Sequence, residues 1–374
     1  MRKKIIKILR VFSTIITWLI INIPHKKKYY VFSSKYGFSD NSKYLFLYYL
    51  EQGHNCVWVS SDRTCYHEVE NILKSHPQSK VINKNSLNLL GVLARSKYIF
   101  VTHSFFDLGV FVTKSCPIIN LWHGIPIKKM GYDSINDKEL FKLDLFNPYK
   151  LNDFVISSSN ITKPFLTSCM DISQSKVLPL GQPRNDFLYN NMTNSLLINK
   201  LKSYYSEESE ARVFLYAPTF RDNSNYSLKT YTKLIHSFAV NSIKTDNLIL
   251  RLHPKERELL ANIKLPRNVK LSLIPDVQEE LLAADVLISD YSSIIFDFSI
   301  LARPIILYTP DKEIYFSNRG GSYFEYDDII QECIHIKDSE LDSTWCSELK
   351  NTDLTRLVKL HSVFSCEAIY KRFS

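Results

Sequence analysis

The chain has 374 residues, of which 45% are hydrophobic and 13% aromatic, and its net charge is +9. This length and composition indicate a globular protein of two domains and exclude disordered and collagen-like classes. The seven cysteines are scattered and include no Cys-x-x-Cys pair, which excludes a disulfide framework and indicates reduced thiols. The positive charge favours an anionic partner; because no nucleic-acid-binding module is recognisable, we expect a membrane surface or a phosphorylated substrate and no nucleic acid.

Residues 1–28 combine basic residues with an apolar run and predict an amphipathic helix. Its polar stripe consists of residues spaced by three and four, namely Lys3, Lys7, Arg10, Thr14 and Thr17. The uncharged run 11–24 has fourteen residues, fewer than the roughly 20 that a bilayer span needs. We therefore predict a peripheral helix on the anionic cytoplasmic face of the cell membrane. A signal anchor, a cleaved signal peptide and an ordinary buried helix remain alternatives.

From residue 29 onward, short apolar strands alternate with amphipathic helices, which predicts parallel sheets of the α/β class. The predicted strands are 29–32, 56–59, 80–82, 98–102, 118–122, 154–157, 212–216, 248–252, 269–273, 285–288 and 304–308. Helices are predicted at 42–52, 66–75, 87–94 and 294–301, and 354–373 has helical spacing. The polar segment 190–210 interrupts the alternation. We predict two Rossmann-like domains, 29–200 and 201–340, facing a central cleft, with 341–374 packing back across it.

Two histidines follow predicted strands, where such a fold places its ligands. His123 lies in a turn with Gly124, and Lys128 follows shortly after. A histidine there can accept a proton near neutral pH, and a lysine can hold an anion. His253 precedes a proline, which favours an extended exit from the strand, and Lys255 lies beside it. Structural turns and ordinary core histidines are the alternative explanations.

Arg221 also follows a predicted strand, and its planar guanidinium suits a phosphate. Asp290, Ser292 and Ser293 form a strand-to-helix turn, where exposed backbone N–H groups can bind an anion. Alternatively, Asp290 or Ser292 only caps the helix. The GQPRND segment, 181–186, is a hinge turn or a ligand-contacting loop, and we favour the interpretation as a hinge turn. No metal or cofactor motif is visible, so we expect no cofactor, although Mg²⁺ could assist through the substrate's phosphates.

Six segments occur in a characteristic order: LWHGIPIKKMG, GQPRND, YAPTFRD, RLHPKE, DVLISDYSSIIFDF with RPIILY, and NRGGSYFEYD. Together with SDNSKYLFLYYL at residues 39–50, these segments resemble the CDP-glycerol glycerophosphotransferase family, which includes wall teichoic acid polymerases and capsule enzymes. The resemblance extends from about Gly37 to Tyr326. The resemblance implies a GT-B fold, with the acceptor bound by the first domain and the CDP-linked donor by the second. It implies transfer of a polyol phosphate, glycerol phosphate above all, to a hydroxyl of a lipid-linked or oligosaccharide acceptor, with release of CMP.

The matching motifs also imply residue roles. His123 would activate the acceptor hydroxyl, and His253 would stabilise the diphosphate or the departing CMP. Donor phosphates would be bound by Arg221, Ser292 and Ser293 in a turn shaped by Asp290, with nearby positive charge from Lys255 and Arg319. Ile125, where these polymerases commonly carry threonine, and the loose NRGGSYF run leave acceptor choice and polymerisation open.

Two other functions remain alternatives. A GT-B glycosyltransferase using a nucleotide sugar would share the fold, and a fold by itself does not identify a reaction. A non-catalytic scaffold at the membrane surface is the third hypothesis. Turnover of UDP- or GDP-sugars without CDP-polyols would favour the glycosyltransferase. Absence of nucleotide binding would favour the scaffold.

Overall fold

A computed structural model describes residues 26–109, 115–135, 148–206, 208, 210–221, 224–260, 263–341, 345–346, 349 and 353–374. The amphipathic helix predicted for residues 1–28 lies almost wholly outside these ranges. Within them, no helix is long and apolar enough to cross a membrane.

The chain forms two compact units. The first takes residues up to His123, Asp137–Asp186 and Ser362–Ser374, and the second takes Gly124–Asn136 and Phe187–His361. The second unit thus begins before the predicted boundary region, because Leu188, Leu201 and Tyr205 are buried in its core. The predicted C-terminal segment 341–374 is divided between the two units.

The first unit contains, among the described residues, a parallel seven-stranded sheet of order β3-β2-β1-β4-β5-β6-β7. Its strands are β1 (Tyr29–Ser33), β2 (Cys56–Ser60), β3 (Lys80–Asn83), β4 (Ser96–Val101), β5 (Ile118–Asn120), β6 (Phe154–Ile156) and β7 (Val177–Leu178). Its helices are α1 (Asp40–Glu51), α2 (Arg63–Leu73), α3 (Asn88–Ala94) and α4 (Lys163–Met170); α5 (Pro183–Asn191) follows at the unit boundary. The chain's last helix, Ser365–Phe373, also belongs to this unit.

Every residue of β1 is buried, because the sheet is covered on both faces. Phe32 packs with aromatic residues on one face, in a core that also receives Ile369 and Phe373 of the last helix. Val31 faces a second core built from aliphatic residues of the neighbouring strands. Alternate residues of one strand therefore serve two different cores.

The second unit contains, within the described ranges, a parallel six-stranded sheet of order β10-β9-β8-β11-β12-β13. Its strands are β8 (Val213–Tyr216), β9 (Asn247–Leu250), β10 (Val269–Leu271), β11 (Val286–Ser289), β12 (Ile305–Tyr308) and β13 (Ile334–Ile336). Its helices are α6 (Ser195–Lys202), α7 (Ser224–Asn241), α8 (Pro254–Arg257), α9 (Val277–Ala283), α10 (Ile294–Ser299), α11 (Lys312–Arg319), α12 (Tyr326–Ile330) and α13 (Thr355–Val358). The last helix of the chain, Ser365–Phe373 in the first unit, is numbered α14.

The helical pattern predicted over 354–373 corresponds to two separate helices, α13 and α14. The helical structure is interrupted between them, and Phe364, the residue directly before α14, adopts a left-handed conformation with φ of 58°. The N–H of Ser362 donates to the Ser158 carbonyl at 2.8 Å, which fixes this break on the first unit.

In each sheet the strand order reverses once, between β1 and β4 in the first unit and between β8 and β11 in the second. Open parallel sheets bind ligands beyond the carboxyl ends of the strands at such a reversal. The loops after these strands therefore define where each unit can carry a site.

Candidate functional site

The turn after β5 carries His123 beyond the carboxyl end of the first sheet. Trp122 is held in a left-handed conformation with φ of 58°, and Gly124 has φ of 146°. A left-handed tryptophan is uncommon, and such strained residues cluster at functional sites. The Trp122 N–H donates to Asn120 Oδ1 at 2.9 Å, which tightens the turn.

Side chains from two distant segments hold this turn. Asn41 Nδ2 donates to the Trp122 carbonyl at 2.9 Å, and Arg184 Nη1 donates to the His123 carbonyl at 2.9 Å. Arg184 also pairs with Asp40 at 2.7 Å, with only 7% and 17% of the two side chains exposed. The GQPRND segment therefore fixes the backbone around His123, a role that its interpretation as a hinge turn did not anticipate.

The His123 ring lies against a second histidine. Its centroid is 4.2 Å from that of His103, and the two planes differ by 8°. Burial lowers the pKa of His123 to about 4; Asp40 opposes this shift, and Arg184 and Lys35 add to it. At neutral pH the imidazole is therefore uncharged and can accept a proton.

In the second unit, Asp290 joins the loops that follow β8 and β11. Its Oδ1 accepts hydrogen bonds from the Thr219 N–H at 2.9 Å and the Thr219 hydroxyl at 2.6 Å. The carboxylate also accepts from the Tyr291 N–H at 2.6 Å. Asp290 thus shapes the turn, as the family motif implies, and does not cap α10.

Arg221 lies in the same cluster, where its guanidinium contacts two carboxylates. Nη1 contacts Asp290 Oδ2 at 2.7 Å, while Nε and Nη2 form a two-point contact with Asp311 at 2.9 and 3.0 Å. The rings of Tyr291 and Tyr315 each lie 5.1 Å from the guanidinium carbon. Burial alone would lower the pKa of Arg221, but the two carboxylates raise it. Phosphate binding by Arg221 stays a prediction, and the observed contacts favour a positioning role.

Ser292 and Ser293 precede α10, as predicted. Ser293 is the N-cap residue but makes no side-chain capping hydrogen bond. The Ser292 hydroxyl accepts from the Ile294 N–H at a long 3.4 Å. Conventional capping therefore accounts poorly for these two hydroxyls, and their predicted contact with donor phosphates remains a prediction.

His253 begins α8 through its carbonyl, which accepts from the Glu256 N–H at 2.8 Å. Its ring centroid lies 4.9 Å from that of Phe220. Since Phe220 precedes Arg221, the structure brings His253 to the same loops as Arg221 and Asp290. Lys255 lies within α8 and Arg319 ends α11, but their side chains lie outside the described part of the structure.

Lys128 belongs to the second unit and forms an antiparallel bridge with Ser322. The Lys129 N–H donates to the Gly321 carbonyl at 3.0 Å, and the Tyr323 N–H donates to the Ile127 carbonyl at 2.8 Å. The structure thus pairs the KKMG and RGGS segments, which sequence reasoning treated as separate motifs.

Residues 15–353 match the family profile described as CDP-Glycerol:Poly(glycerophosphate) glycerophosphotransferase. The chain belongs to this family. It is 29% identical over 341 residues to the teichoic acid poly(glycerol phosphate) polymerase of Bacillus spizizenii, a match covering 86% of this chain and 83% of that protein. It is 26% identical over 328 residues to the teichoic acid glycerol-phosphate transferase of Staphylococcus aureus, covering 82% and 80%.

A solved structure of the wall teichoic acid polymerase TagF has the same fold. The TM-score is 0.70 at 20% identity, and the match covers 99% of this chain and 90% of TagF. These findings confirm the predicted family, the α/β fold class and the predicted activity of a CDP-glycerol glycerophosphotransferase, so the chain is an enzyme.

Proposed function

We propose that this glycerophosphotransferase moves glycerol phosphate from CDP-glycerol to the hydroxyl of a lipid-linked or oligomeric acceptor in teichoic acid synthesis. Proteins that match most of this chain are named as a glycerol-phosphate polymerase and a glycerol-phosphate transferase, which supports this substrate class. The observation that carries the chemistry is His123, a neutral and rigidly held imidazole beyond the carboxyl end of the first sheet.

In the proposed reaction, His123 takes the proton of the acceptor hydroxyl. The oxygen attacks the phosphorus that carries glycerol, a new P–O bond forms, and the bond to CMP breaks. CMP leaves with the electron pair of that bond. Phosphoryl transfer of this kind depends mainly on positioning and on neutralising charge around the displacement.

The second unit would bind the CDP-linked donor. We assign His253 to the diphosphate or the departing CMP, and Ser292 and Ser293 to its phosphate oxygens. Lys255, Arg319 and Lys128 would supply positive charge, since all three lie in motifs of the family. Asp290 and Arg221 would hold the loops after β8 and β11 in the shape that the donor requires.

No resident cofactor is part of the proposal. A divalent cation, if the reaction uses one, would arrive with the diphosphate of the donor. Chelation by EDTA checks this point: turnover that is lost and then restored by Mg²⁺ would add the ion to the reaction as a companion of the donor.

CMP release by purified protein tests the proposed function. We expect release from CDP-glycerol with an oligomeric acceptor, and its near abolition in His123→Ala and in His253→Ala. His67→Ala is the matched control, because the His67 side chain is 78% exposed on α2. Full turnover in either site variant would remove that histidine from the mechanism. Turnover of UDP- or GDP-sugars without CDP-polyols would instead establish a glycosyltransferase.

We also propose a peripheral location on the cytoplasmic face of the membrane. The first acidic residue of the chain is Asp40, and nine lysines and arginines precede it. Such a segment is attracted to anionic lipids. Deleting residues 1–24 should abolish co-sedimentation of the protein with phosphatidylglycerol vesicles and leave its co-sedimentation with phosphatidylcholine vesicles unchanged. A deletion variant that still sediments with phosphatidylglycerol vesicles like the full chain would contradict the anchoring role.

A further inference from the structure

A second histidine, His103, lies against the proposed base and has no role in the mechanism described so far. The two rings are nearly parallel, with planes 8° apart, and are stacked with their centroids 4.2 Å apart. Trp122 lies against His123 as well, at 4.2 Å and 39°. Two neighbouring rings therefore restrict the orientation of the His123 imidazole.

His103 is itself fixed by several contacts. Its backbone N–H donates to Asp107 Oδ2 at 2.9 Å, and the Tyr36 ring meets the His103 ring edge-on, with the centroids 5.2 Å apart. Asn120 joins the two histidine loops: its Nδ2 donates to the His103 carbonyl at 3.0 Å, and its Oδ1 accepts from the Trp122 N–H at 2.9 Å. One amide side chain thus sets the spacing of both loops.

We propose that His103 is a positioning residue that holds the plane of the His123 imidazole and shields one of its faces from water. The inference rests on the proposed role of His123 as the base. A stacked aromatic ring can do both, because it fills the space above the imidazole and disfavours tilting of the imidazole plane.

The charged and titratable groups around His123 are consistent with this role. They are Asp40 from the start of α1, Lys35 from the loop after β1, Arg184 from α5 and His103 from the loop after β4. Burial lowers the pKa of His103 to about 2, so His103 stays uncharged when His123 accepts a proton. The stack therefore never becomes a pair of adjacent positive charges.

The Nδ1 atom of His103 is buried and has no hydrogen-bond partner among the described residues. A ring without nitrogen atoms would therefore fill the same space without leaving a buried polar atom unpaired. His103→Phe retains the stack and removes the nitrogens, whereas His103→Ala removes the ring. The pair of variants separates the effect of the stack from any chemistry of the imidazole nitrogens.

The test is the pH dependence of kcat/KM for CMP release in the wild type, His103→Ala, His103→Phe and the control His67→Ala, because this ratio reports the pKa of the free enzyme. Removing the ring admits water to His123, so its pKa should rise toward the ordinary value of 6.5. In His103→Ala we expect the acidic limb of the profile to move from about 4 toward 6.5. A complete move would leave about a tenth of His123 unprotonated at pH 5.5, which is about a tenfold loss at that pH. His103→Phe should keep the wild-type limb and lose no more than about threefold in kcat.

A wild-type pH profile in His103→Ala would overturn the inference, and so would a His103→Phe variant whose limb moves like that of His103→Ala. If the wild type releases no CMP from CDP-glycerol, the proposed function fails independently. The His123 titration is then followed by NMR of protein that carries ¹³C-labelled histidine. His123 should titrate in the His103→Phe variant as it does in the wild type. A His123 pKa displaced upward in that folded variant would overturn the inference without any activity measurement.

Discussion

Replacing Arg221 by methionine should destabilise the second unit more than any loss of surface charge would. The Arg221 side chain is 12% exposed, and its carboxylate partners Asp290 and Asp311 are 3% and 8% exposed. Methionine has a similar length but leaves both carboxylates without their cation. Breaking a buried pair in this way costs about 3–5 kcal/mol, because an uncompensated charge stays buried. Arg221→Lys should fall between the wild type and Arg221→Met, since an ammonium cannot make the two-point contact with Asp311.

Urea unfolding measures the change in the free energy of unfolding, and hydrogen exchange of peptides covering β8 and β11 assigns it to the second unit. Arg356→Met is the matched control: its side chain is 71% exposed and lies 3.7 Å from Glu332. Glu332 is only 9% exposed, but it also accepts hydrogen bonds from the backbone N–H groups of Arg356 and Leu357. Losing the solvent-exposed arginine should therefore cost no more than about 1 kcal/mol. The reasoning is refuted if Arg221→Met unfolds within 1 kcal/mol of the wild type, a margin taken from that control range, while affinity for CDP-glycerol falls. That result would assign Arg221 to direct phosphate binding.

Two further predictions concern the first unit. Gly181 has φ of +87°, and a Cβ there would lie 2.1 Å from a serine hydroxyl of α14, so Gly181→Ala should destabilise by about 2 kcal/mol or more in thermal unfolding. Gly91→Ala, which meets nothing within 4 Å in helix α3, should be neutral or stabilising by up to about 1 kcal/mol; equal effects in the two variants would contradict the packing argument. Stability should also fall as pH drops from 6.5 toward 4, because His103 and His123, with pKa values lowered to about 2 and about 4, take up protons only on unfolding. Below pH 6 the folded protein binds one proton at Asp107, whose pKa is raised to about 6, and this proton offsets one of the two that the histidines take up on unfolding. The free energy of unfolding should therefore fall by about 1.4 kcal/mol per pH unit. A urea midpoint that stays constant between pH 4 and 6 would contradict this balance.

The sequence alone predicted the elements whose pattern is local. Strands such as β1 and β8 read as uninterrupted apolar runs because the sheet covers both of their faces, and that burial is visible in the residues themselves. The edge strands β7 and β13 were missed because β7 has only two residues and His335 interrupts β13, so neither forms an apolar run. His123 could be singled out as a candidate because a histidine and a glycine directly after a strand form a local signal.

The contacts around that histidine were decided by the tertiary structure. Arg184 reaches the His123 carbonyl across a sequence separation of 61 residues, and it reaches Asp40 across 144. The order of strands in the sheet brings these loops together. A local sequence pattern therefore cannot predict contacts between residues so far apart in the chain. His103 gave no motif either, as its role depends on which ring lies beside it.

Arg221 is a second residue whose contacts the sequence did not predict. Its residue type and its place after a strand indicated a phosphate ligand, and the family motif agreed. The guanidinium contacts Asp290 and Asp311, which follow β11 and β12, and its contact with a phosphate stays a prediction. The sequence by itself determined which chemical groups stand at the strand ends and to which family the reaction belongs. Only the packing of the sheet decided which of those groups face one another, because a charged side chain acquires its role from the charges placed beside it.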